Sequence, residues 1–483
     1  MYLGLDLGTS GLRAILTDEQ GSVQAEAEAG LALSHPHSGW SEQDPEDWIT
    51  ACKAVVAEIG RKAPRALAGL RGIGLSGHMH GATLIDGDDK VLRPCILWND
   101  TRSIAEAKAL DAAPQMREIT GNIVFPGFTA PKLAWVKTHE PELFDKTAKV
   151  LLPKDYLRLW LTGEHISDMS DSAGTAWLDV GARAWSDAAL AASGMRRDQM
   201  PDLVEGSAAG GHLRAALLSE WGIDGPVVVA GGAGDNAAAA CGMGCLSEGS
   251  GFVSLGTSGV LMAGRDHYAP APNSAVHSFC HAVPDLWYQM GVILAATDSL
   301  NWLSRTLGES PATLSGRLPD VASGPSDLTF LPYLSGERTP HNDSEIRGAF
   351  VGLDVSMERD DLTRAVIEGV AFALRDNLVA LQSTGAKLGT VLAVGGGTRS
   401  RFWLTTLANV LQLPLSLPSS SELGAALGAA RLAICADTGA APSEVMTPPD
   451  IAQVITPDLS LSERYEAAFD RYRALYPALS NAG

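Results

Sequence analysis

The stretch LDLGTSGL, residues 5–12, places a short glycine-flanked loop between two runs of alternating apolar residues. Its pentapeptide LGTSG returns at residues 255–259, again with apolar runs on both sides. Period-two alternation around a small polar turn predicts a β-hairpin at each place. Two identical hairpin loops predict that the chain is built from two halves of one architecture.

A second pair of segments repeats in the same order. PVVVAGGAGDNAAAA (226–240) and TVLAVGGGTRSRFW (390–403) each run an apolar strand into a glycine cluster that opens a helix. Strands that alternate with helices predict an α/β fold. The first half is longer than the second because it holds an inserted region at about 36–200, which is rich in Trp, His, Asp and Asn. We interpret this region as the part that sets specificity.

Length and charge narrow the classes of protein. A chain of 483 residues is too long for one ordinary core, and we predict two domains, 1–247 and 248–483. The net charge of −20 argues against nucleic acid and anionic membranes as partners, so an anionic substrate must be captured locally.

Six scattered cysteines predict reduced thiols and a cytoplasmic location. Asp6 interrupts the apolar N-terminus, which argues against an export signal.

The repeated loops have the residue types of phosphate-binding turns. A turn of Gly, Thr and Ser presents several backbone N–H groups on one edge, and glycine permits close approach and a positive φ. A glycine cluster at a helix N-terminus binds phosphate in the same way. The candidate phosphate-binding residues are Gly8, Thr9, Ser10, Gly256, Thr257, Gly396, Gly397 and Ser400. The residues alone leave open that each loop is an ordinary hairpin turn.

Two common nucleotide motifs are absent from the sequence. A P-loop needs Gly-Lys-Ser or Gly-Lys-Thr, and the chain has neither. The dinucleotide fingerprint fails at both glycine clusters, since Ser400 stands where the third glycine of the second cluster would be.

Two aspartates distinguish the halves. Asp6 precedes the first loop where Ser254 precedes the second, and Asp235 in GGAGDNA has no counterpart in GGGTRS. Phosphoryl transfer needs a metal ion to neutralise charge and a carboxylate that accepts the proton of the attacking hydroxyl. We predict Asp6 on the metal side and Asp235 as the proton acceptor. The alternative for Asp235 is a helix N-cap.

Taken together, GLDLGT, GGAGDN and GGGTRSRFW resemble the FGGY family of sugar kinases in the actin-like ATPase superfamily. The resemblance covers essentially the whole chain, and GFTAPKLAWVKTHEP and GAFVGLDVSMERDDLTRAVIEGVAFALRD match the regions by which the family is recognised. It implies two ribonuclease-H-like domains with an interdomain cleft. It also implies that ATP, with Mg²⁺, phosphorylates a sugar hydroxyl. A homodimer is the assembly expected of the family.

The resemblance also assigns residues. Asp235 matches the proton acceptor and Asp6 the acidic position near the metal and phosphates. Met79 and His80 match the pair that lines the sugar pocket, while Thr257 and the 396–400 segment match the nucleotide side.

Five segments are most similar to the members that phosphorylate D-xylulose at its terminal hydroxyl: WSEQDPEDW, SGHMHGATL, VLRPCILWNDTRS, LLPKDYLRLWLTGE and FLPYLSGERTPH. One residue departs from them, because His78 stands where glutamine is usual, which leaves the identity of the ketose open.

Two other functions stay open at this point. One is a kinase for ribulose, glycerol or gluconate. The other is an actin-like ATPase that switches conformation and binds a protein partner. The long insertion and Asp235 argue against the second.

Overall fold

The computed structural model describes residues 1–419 and 424–480, which form two units. Within the described residues, unit 1 comprises 1–246, 279–287 and 424–448, and unit 2 comprises 247–278, 288–419 and 449–480. Two segments from beyond residue 247, where the sequence predicts a domain boundary, thus belong to unit 1.

The strands, in chain order, are β1 (Tyr2–Leu7), β2 (Gly11–Thr17), β3 (Val23–Gly30), β4 (Glu42–Gln43), β5 (Gly72–Gly77), β6 (Thr83–Ile85), β7 (Cys95–Ile96), β8 (Lys149–Leu151), β9 (Ile166–Asp168), β10 (Leu178–Asp179), β11 (Ala184–Trp185), β12 (Asp202–Val204), β13 (Ala209–His212), β14 (Val228–Ala230), β15 (Ala233–Gly234), β16 (Gly251–Leu255), β17 (Gly259–Arg265), β18 (His277–Cys280), β19 (Trp287–Ile293), β20 (Thr329–Leu331), β21 (Ala349–Val351), β22 (Val391–Val394), β23 (Leu415–Pro418) and β24 (Ile451–Ile455).

The α-helices are α1 (Pro45–Lys62), α2 (Pro64–Ala68), α3 (Ile104–Asp111), α4 (Met116–Thr120), α5 (Thr129–His139), α6 (Pro141–Lys146), α7 (Pro153–Thr162), α8 (Met169–Ser172), α9 (Asp187–Ala192), α10 (Ala215–Trp221), α11 (Asp235–Met243), α12 (Thr297–Leu307), α13 (Pro311–Gly316), α14 (Arg359–Ser383), α15 (Arg401–Leu411), α16 (Ala425–Thr438), α17 (Pro442–Val445) and α18 (Ser462–Ser480).

The main sheet of unit 1 has the strand order β13-β14-β5-β1-β2-β3, with β15 also paired to β5. β1 is antiparallel to β2 and parallel to β5, so the first repeated loop closes a hairpin, as predicted. Leu3, Leu5 and Leu7 of β1 are fully buried, which explains why this strand lies inside the sheet.

Helix α16 lies against β1 and β5 of this sheet because glycines in both strands leave room for its backbone. A Cβ atom on Gly4 would lie 1.9 Å from the carbonyl oxygen of Ala426, and one on Gly74 would lie 1.7 Å from that of Ala429. Gly428 lies equally close to α11, since its Cβ would be 1.7 Å from the oxygen of Ala238. These contacts leave no space for a side chain.

The main sheet of unit 2 has the order β18-β19-β17-β16-β22-β23-β24. β16 and β17 form the second predicted hairpin, and β22 is parallel to β16. The long helix α14 supplies much of the core of this unit, with Val366, Val370 and Leu374 fully buried. Parallel and antiparallel strands mixed with helices confirm the predicted α/β class.

All six cysteines are buried, and none of them lies in a disulfide bond. Over the stretches 1–419 and 424–480, none of the helices combines the length and the apolar character needed to cross a bilayer.

Candidate active site

Two predicted acidic residues lie at the same edge of the sheet of unit 1. β1 and β5 pair Asp6 with Ser76, and β15 pairs Ala233 with the same Ser76. Since β15 leads directly into α11, Asp235 is the first residue of that helix. Parallel strands meet at one edge by their carboxyl ends, where α/β proteins place functional groups. Asp6 and Asp235, which the sequence predicts to belong to one site, therefore lie at the same edge of this sheet.

The carboxyl group of Asp235 is half-buried, and its pKa is raised to about 6. Burial is the larger cause, and the negative charge of Asp6 adds to it. The backbone N–H and the side-chain amide of Asn236 act the other way, because they donate to Asp235 Oδ1 at 2.7 and 2.9 Å. Such a carboxylate is ionised at neutral pH and is basic enough to accept a proton from a hydroxyl.

The carboxyl group of Asp6 has different surroundings. Burial raises its pKa, while a hydrogen bond from Ser76 Oγ at 2.8 Å and the charge of Arg13 oppose that rise. Carboxylate oxygens are ligands that Mg²⁺ prefers. Because a cation beside Asp6 would favour the ionised form, the donor chemistry at this position fits the predicted metal side.

The first repeated loop is a tight turn with Thr9 and Ser10 at its tip. Gly8 N–H donates to the carbonyl oxygen of Gly11 at 2.9 Å, and Trp98 Nε1 donates to Thr9 Oγ1 at 3.0 Å. Neither glycine has a positive φ, so the left-handed backbone that the sequence allows is not used here. Close approach is the reason for Gly11, since a Cβ would lie 2.9 Å from the oxygen of Ala29.

Met79 and His80 come shortly after the end of β5 at Gly77. A Cβ atom on Gly234 would lie 2.8 Å from Met79 Cγ, so Met79 packs against the residue that precedes Asp235. The ring of His80 stacks on Phe128 with centroids 4.7 Å apart. Met79 therefore lies beside the predicted proton acceptor, and His80 packs against Phe128.

His80 lies outside the strand that precedes it, because β5 ends at Gly77 and His80 has a φ of 71°. Its Nδ1 lies 2.6 Å from the oxygen of Gly174, so this nitrogen carries the proton when the ring is neutral. The bond fixes the orientation of the imidazole in this non-strand position.

Lys132 is a residue of the site that the sequence reasoning missed. Its ammonium group is fully buried and donates to the carbonyl oxygens of His80 at 2.8 Å and Gly127 at 2.7 Å. Burial lowers the pKa of Lys132 to about 7. A lysine inside the apolar run of GFTAPKLAW is the signal that could have revealed this support for His80.

Phe279 was also missed, because it comes from the second half of the sequence. It belongs to the 279–287 segment of unit 1, and its fully buried ring lies 6.3 Å from that of His80 and 6.1 Å from that of Phe128. His80 is therefore enclosed by two phenylalanines.

The ring of His78 points into the core. It is 2% exposed and lies edge-on to Trp48, with centroids 5.9 Å apart. Neither ring nitrogen has a hydrogen-bond partner in the part of the chain that the structure describes. Burial, followed by the charge of Lys132, lowers the pKa of His78 to about 3. His78 is thus a neutral buried histidine at pH 7.

We expect His78→Gln to flatten the dependence of stability on pH. A histidine whose pKa is about 3 when folded and about 6.5 when unfolded is neutral in both states above pH 6.5, so its titration does not affect stability there. Between pH 6.5 and 4 only the unfolded chain binds a proton at this histidine. The free energy of unfolding therefore falls by about 1.4 kcal/mol for each unit by which the pH is lowered. Urea unfolding at pH 7, 6 and 5 measures the slope.

The control is His212→Gln, which changes an exposed histidine of the same unit. It should keep the slope of the parent protein. Equal slopes for the His78 variant and the parent protein would show that His78 titrates normally in the folded state.

The second repeated loop, in unit 2, is held by the start of α12. Ala296 N–H donates to Thr257 O at 2.8 Å, and Thr297 donates to Gly256 O from its N–H at 2.9 Å and its hydroxyl at 2.8 Å. The carbonyl groups of this loop are thus satisfied internally. Its position is set by the helix that follows β19.

The second glycine cluster lies against this loop. Gly395 has a φ of 96°, and a Cβ on it would lie 2.7 Å from Leu255 O. A 3₁₀ turn, Gly396–Arg399, then separates the strand from α15, whereas the sequence predicts that the cluster opens the helix directly. Ser400 is the N-cap of α15, since its Oγ accepts from Trp403 N–H at 3.3 Å.

A cavity of about 600 Å³ opens beside this cluster, entirely within unit 2. This volume is in the range of small-molecule sites. The predicted nucleotide-side residues in its lining are Gly396, Gly397 and Ser400, and Thr297, which holds the second loop, joins them. The sequence reasoning missed other lining residues, which include Leu300, Asn301, Ser310, Pro311, Ala312 and Ser315.

Comparisons with known proteins give one family over both halves. The sequence pattern of the FGGY family of carbohydrate kinases matches residues 1–242 with its N-terminal domain and 251–436 with its C-terminal domain. The chain is 46% identical to a xylulose kinase of Escherichia coli (strain K12), covering 99% of each chain.

Solved structures agree in fold. A xyloylose kinase from Brucella ovis superposes with a TM-score of 0.98 at 57% identity, covering 100% of both chains. A gluconate kinase from Lactobacillus acidophilus superposes with a TM-score of 0.92 at 26% identity, covering 99% of this chain and 97% of the other. The predicted fold of the actin-like ATPase type is therefore confirmed.

Proposed function

The chain belongs to the FGGY family of carbohydrate kinases, and we propose that it transfers the terminal phosphoryl group of ATP to D-xylulose. The product is D-xylulose 5-phosphate. The assignment of D-xylulose as the substrate rests on the 46% identity to a xylulose kinase over 99% of both chains. The gluconate kinase is similar in fold but only 26% identical, which favours xylulose over gluconate.

We propose that Asp235 accepts the proton of the attacking hydroxyl. The sugar oxygen forms a bond to the γ-phosphorus, the bond from that phosphorus to the β–γ bridging oxygen breaks, and the hydroxyl proton goes to Asp235. Three features support this role: its position at the carboxyl edge of the sheet, its half-buried state and its pKa of about 6. A base with this pKa serves proton transfer near neutral pH.

We propose that Met79 and His80 bind the sugar. Met79 lies beside the N-terminus of α11, and the imidazole of His80 is held by Gly174 and Phe128. A ring fixed on both sides is suited to discriminate between hydroxyl arrangements, because little freedom remains to adapt to a wrong sugar.

We propose that ATP is bound by the glycine turns and the cavity of unit 2. The lining includes Gly396, Gly397 and Ser400. The turn Gly8–Ser10, closed by the bond from Gly8 N–H to Gly11 O, would bind phosphate oxygens through the backbone N–H groups and hydroxyls of Thr9 and Ser10, and Gly256 and Thr257 would do so through their backbone N–H groups. Asp6 would orient Mg²⁺ through its carboxylate. When bound, the metal ion neutralises charge on the phosphate oxygens.

A panel of acceptors tests the substrate. We expect kcat/KM for D-xylulose to exceed that for D-ribulose, glycerol and D-gluconate by about 100-fold, because a site that hydrogen-bonds specific hydroxyls rejects sugars that leave those groups unpaired. ADP release, measured with each acceptor and without any, reports all cases on one scale. Negligible turnover of D-xylulose beside a faster acceptor would reject the assignment.

The reaction without acceptor tests the remaining alternative. A conformational ATPase would hydrolyse ATP at a rate that sugars do not change. We expect ADP release to depend on D-xylulose instead, since the proton acceptor acts on the sugar hydroxyl.

A homodimer and a cytoplasmic location remain proposals. Light scattering after gel filtration tests the first, with twice the 50.6 kDa of one chain as the expected mass. A mass of one chain at micromolar concentration would contradict it.

A further inference from the structure

Helix α7 carries two cations that are completely buried. Lys154 and Arg158 stand one turn apart on this helix, and neither side chain is exposed to solvent. A buried charge without partners would cost several kcal/mol. Both cations therefore need hydrogen-bond or ion-pair partners inside unit 1. The identity of these partners indicates the structural role of the helix.

Arg158 binds the chain where it leaves β14. Its Nη1 donates to the carbonyl oxygen of Ala230 at 2.7 Å and to that of Gly210 at 3.2 Å. Its Nη2 donates to Gly231 O at 2.5 Å. The planar guanidinium thereby fixes the first residues of the segment that leads to Asp235.

Lys154 is surrounded by three carboxyl groups. Its Nζ lies 2.5 Å from Asp155 Oδ1, 2.8 Å from Asp168 Oδ1 and 3.4 Å from Asp171 Oδ2. Burial lowers the pKa of Lys154 less than these carboxylates raise it, so the lysine is charged. Burial raises the pKa of Asp171 well above its usual range.

Two of these contacts are close ion pairs, from Lys154 to Asp155 and to Asp168, and the charges of the same two residues favour the charged form of Arg158. Buried ionic groups that are paired and hydrogen-bonded hold a fixed geometry, because any displacement leaves a charge unsatisfied. The cluster is thus a rigid support.

The support reaches the helix of Asp235 through one hydroxyl. Asp168 Oδ2 accepts from the N–H and the Oγ of Ser170 at 2.7 and 2.5 Å. Ser170 Oγ in turn accepts from Gly234 N–H at 3.2 Å. Gly234 is the N-cap of α11, so this bond ends at the residue before Asp235. An ion pair from Lys154 to Asp168, followed by two hydrogen bonds through Ser170 Oγ, thus links Lys154 to that amide.

We propose that Ser170, oriented by Asp168 and Lys154, is a positioning residue for Asp235. Helix α7 holds both ends of the glycine-rich segment: Arg158 holds its first carbonyl oxygens, and the Lys154–Asp168–Ser170 chain holds its last amide. Glycine-rich backbone has many accessible conformations and needs such fixation. The inference rests on the proposed role of Asp235.

The test compares Ser170→Ala with Ser172→Ala. Both serines lie in α8 and are fully buried, but Ser172 Oγ bonds to Ser167 Oγ at 2.9 Å rather than to the Asp235 segment. We expect Ser170→Ala to lower kcat about tenfold with the KM values for xylulose and ATP unchanged, since displacing a reacting group costs rate. Ser172→Ala should keep kcat, with a melting temperature lowered as much as in the Ser170 variant.

Hydrogen–deuterium exchange of the peptide that contains Gly234 gives a second readout. Its amide should exchange faster in Ser170→Ala than in Ser172→Ala, because only the first variant removes its acceptor. Equal kcat and equal exchange in the two variants would overturn the proposal.

Asp235→Asn, assayed in parallel, distinguishes the proposed role of Asp235 as proton acceptor from the proposed role of Ser170 as positioning residue. If Asp235→Asn is active, the proposed proton acceptor is wrong. If it is inactive while Ser170→Ala behaves like Ser172→Ala, only the positioning role fails.

Discussion

Asp235→Asn should reduce kcat for xylulose phosphorylation by a factor of about 10³, the range expected for loss of a general base. Asparagine has nearly the same shape, and its Oδ1 can still accept from the amide groups of Asn236, which now bond Asp235 at 2.7 and 2.9 Å. The site therefore keeps its geometry and loses its base. We expect the KM for ATP to change little, since the cavity that we assign to the nucleotide lies in unit 2.

The matched control is Asp187→Asn. Asp187 is also the first residue of a helix in unit 1, but it is exposed and lies in α9. This variant should keep full activity. The role of Asp235 would be disproved if its asparagine variant retained more than about a tenth of the parent kcat, a loss below the usual contribution of a general base.

The pH profile gives a second measurement on the same residue. Because a base acts only when ionised, kcat/KM of the parent enzyme should fall tenfold per pH unit below the pKa of Asp235, which is about 6. The residual activity of Asp235→Asn should lack this acid limb. If kcat/KM of the variant still falls at low pH as in the parent enzyme, that fall is due to the titration of another group.

Gly74→Ala should destabilise unit 1 by about 3 kcal/mol or more, the upper range for overpacking a core. The added Cβ would lie 1.7 Å from the carbonyl oxygen of Ala429, so backbone rather than a flexible side chain has to move. Helix α16 would be pushed off β1 and β5. The free energy of unfolding in urea measures the loss.

Gly30→Ala is the control for this substitution. Gly30 ends β3 of the same sheet, has no atom within 4 Å of the added Cβ and does not have a positive φ. Its change to alanine should be neutral or stabilising by up to about 1 kcal/mol, because alanine restricts the unfolded chain. Equal stability of the two variants would show that α16 does not pack as closely as described.

The parts of the fold that were predictable are those with local signals. Alternating apolar residues around LGTSG predicted β1–β2 and β16–β17, and both hairpins are confirmed. The strand before Asp235 and the helix after it were predicted as well. In each case neighbouring residues in the sequence determine the local conformation, so no knowledge of distant contacts is needed.

Other features depend on residues that are far apart in the sequence. Nothing near Gly4 indicates that its missing side chain makes room for Ala426. Phe279 lies beside His80 only because the 279–287 segment folds with unit 1. Close approach of two backbones leaves no periodic pattern, and therefore composition and spacing do not reveal it.

The sequence predicts the two acidic residues of the candidate site and does not predict the residues that support them. Asp6 and Asp235 stood out because only one half of a repeated chain has them. No local pattern marks Lys154 and Arg158 as buried charges, although both are fully buried. Whether a charged residue is buried depends on its partners in the folded protein. These partners include Asp168 for Lys154 and the carbonyl oxygen of Ala230 for Arg158.

The position of α16 also has a consequence for biosynthesis. Translation proceeds from the N-terminus, so β1 and β5 leave the ribosome long before the helix that covers them, Ala425–Thr438. Until then the nascent chain carries a sheet with one uncovered apolar face, which is a target for chaperones and a risk for aggregation. The first strands to be made thus complete their packing only when nearly all of the protein has been synthesised.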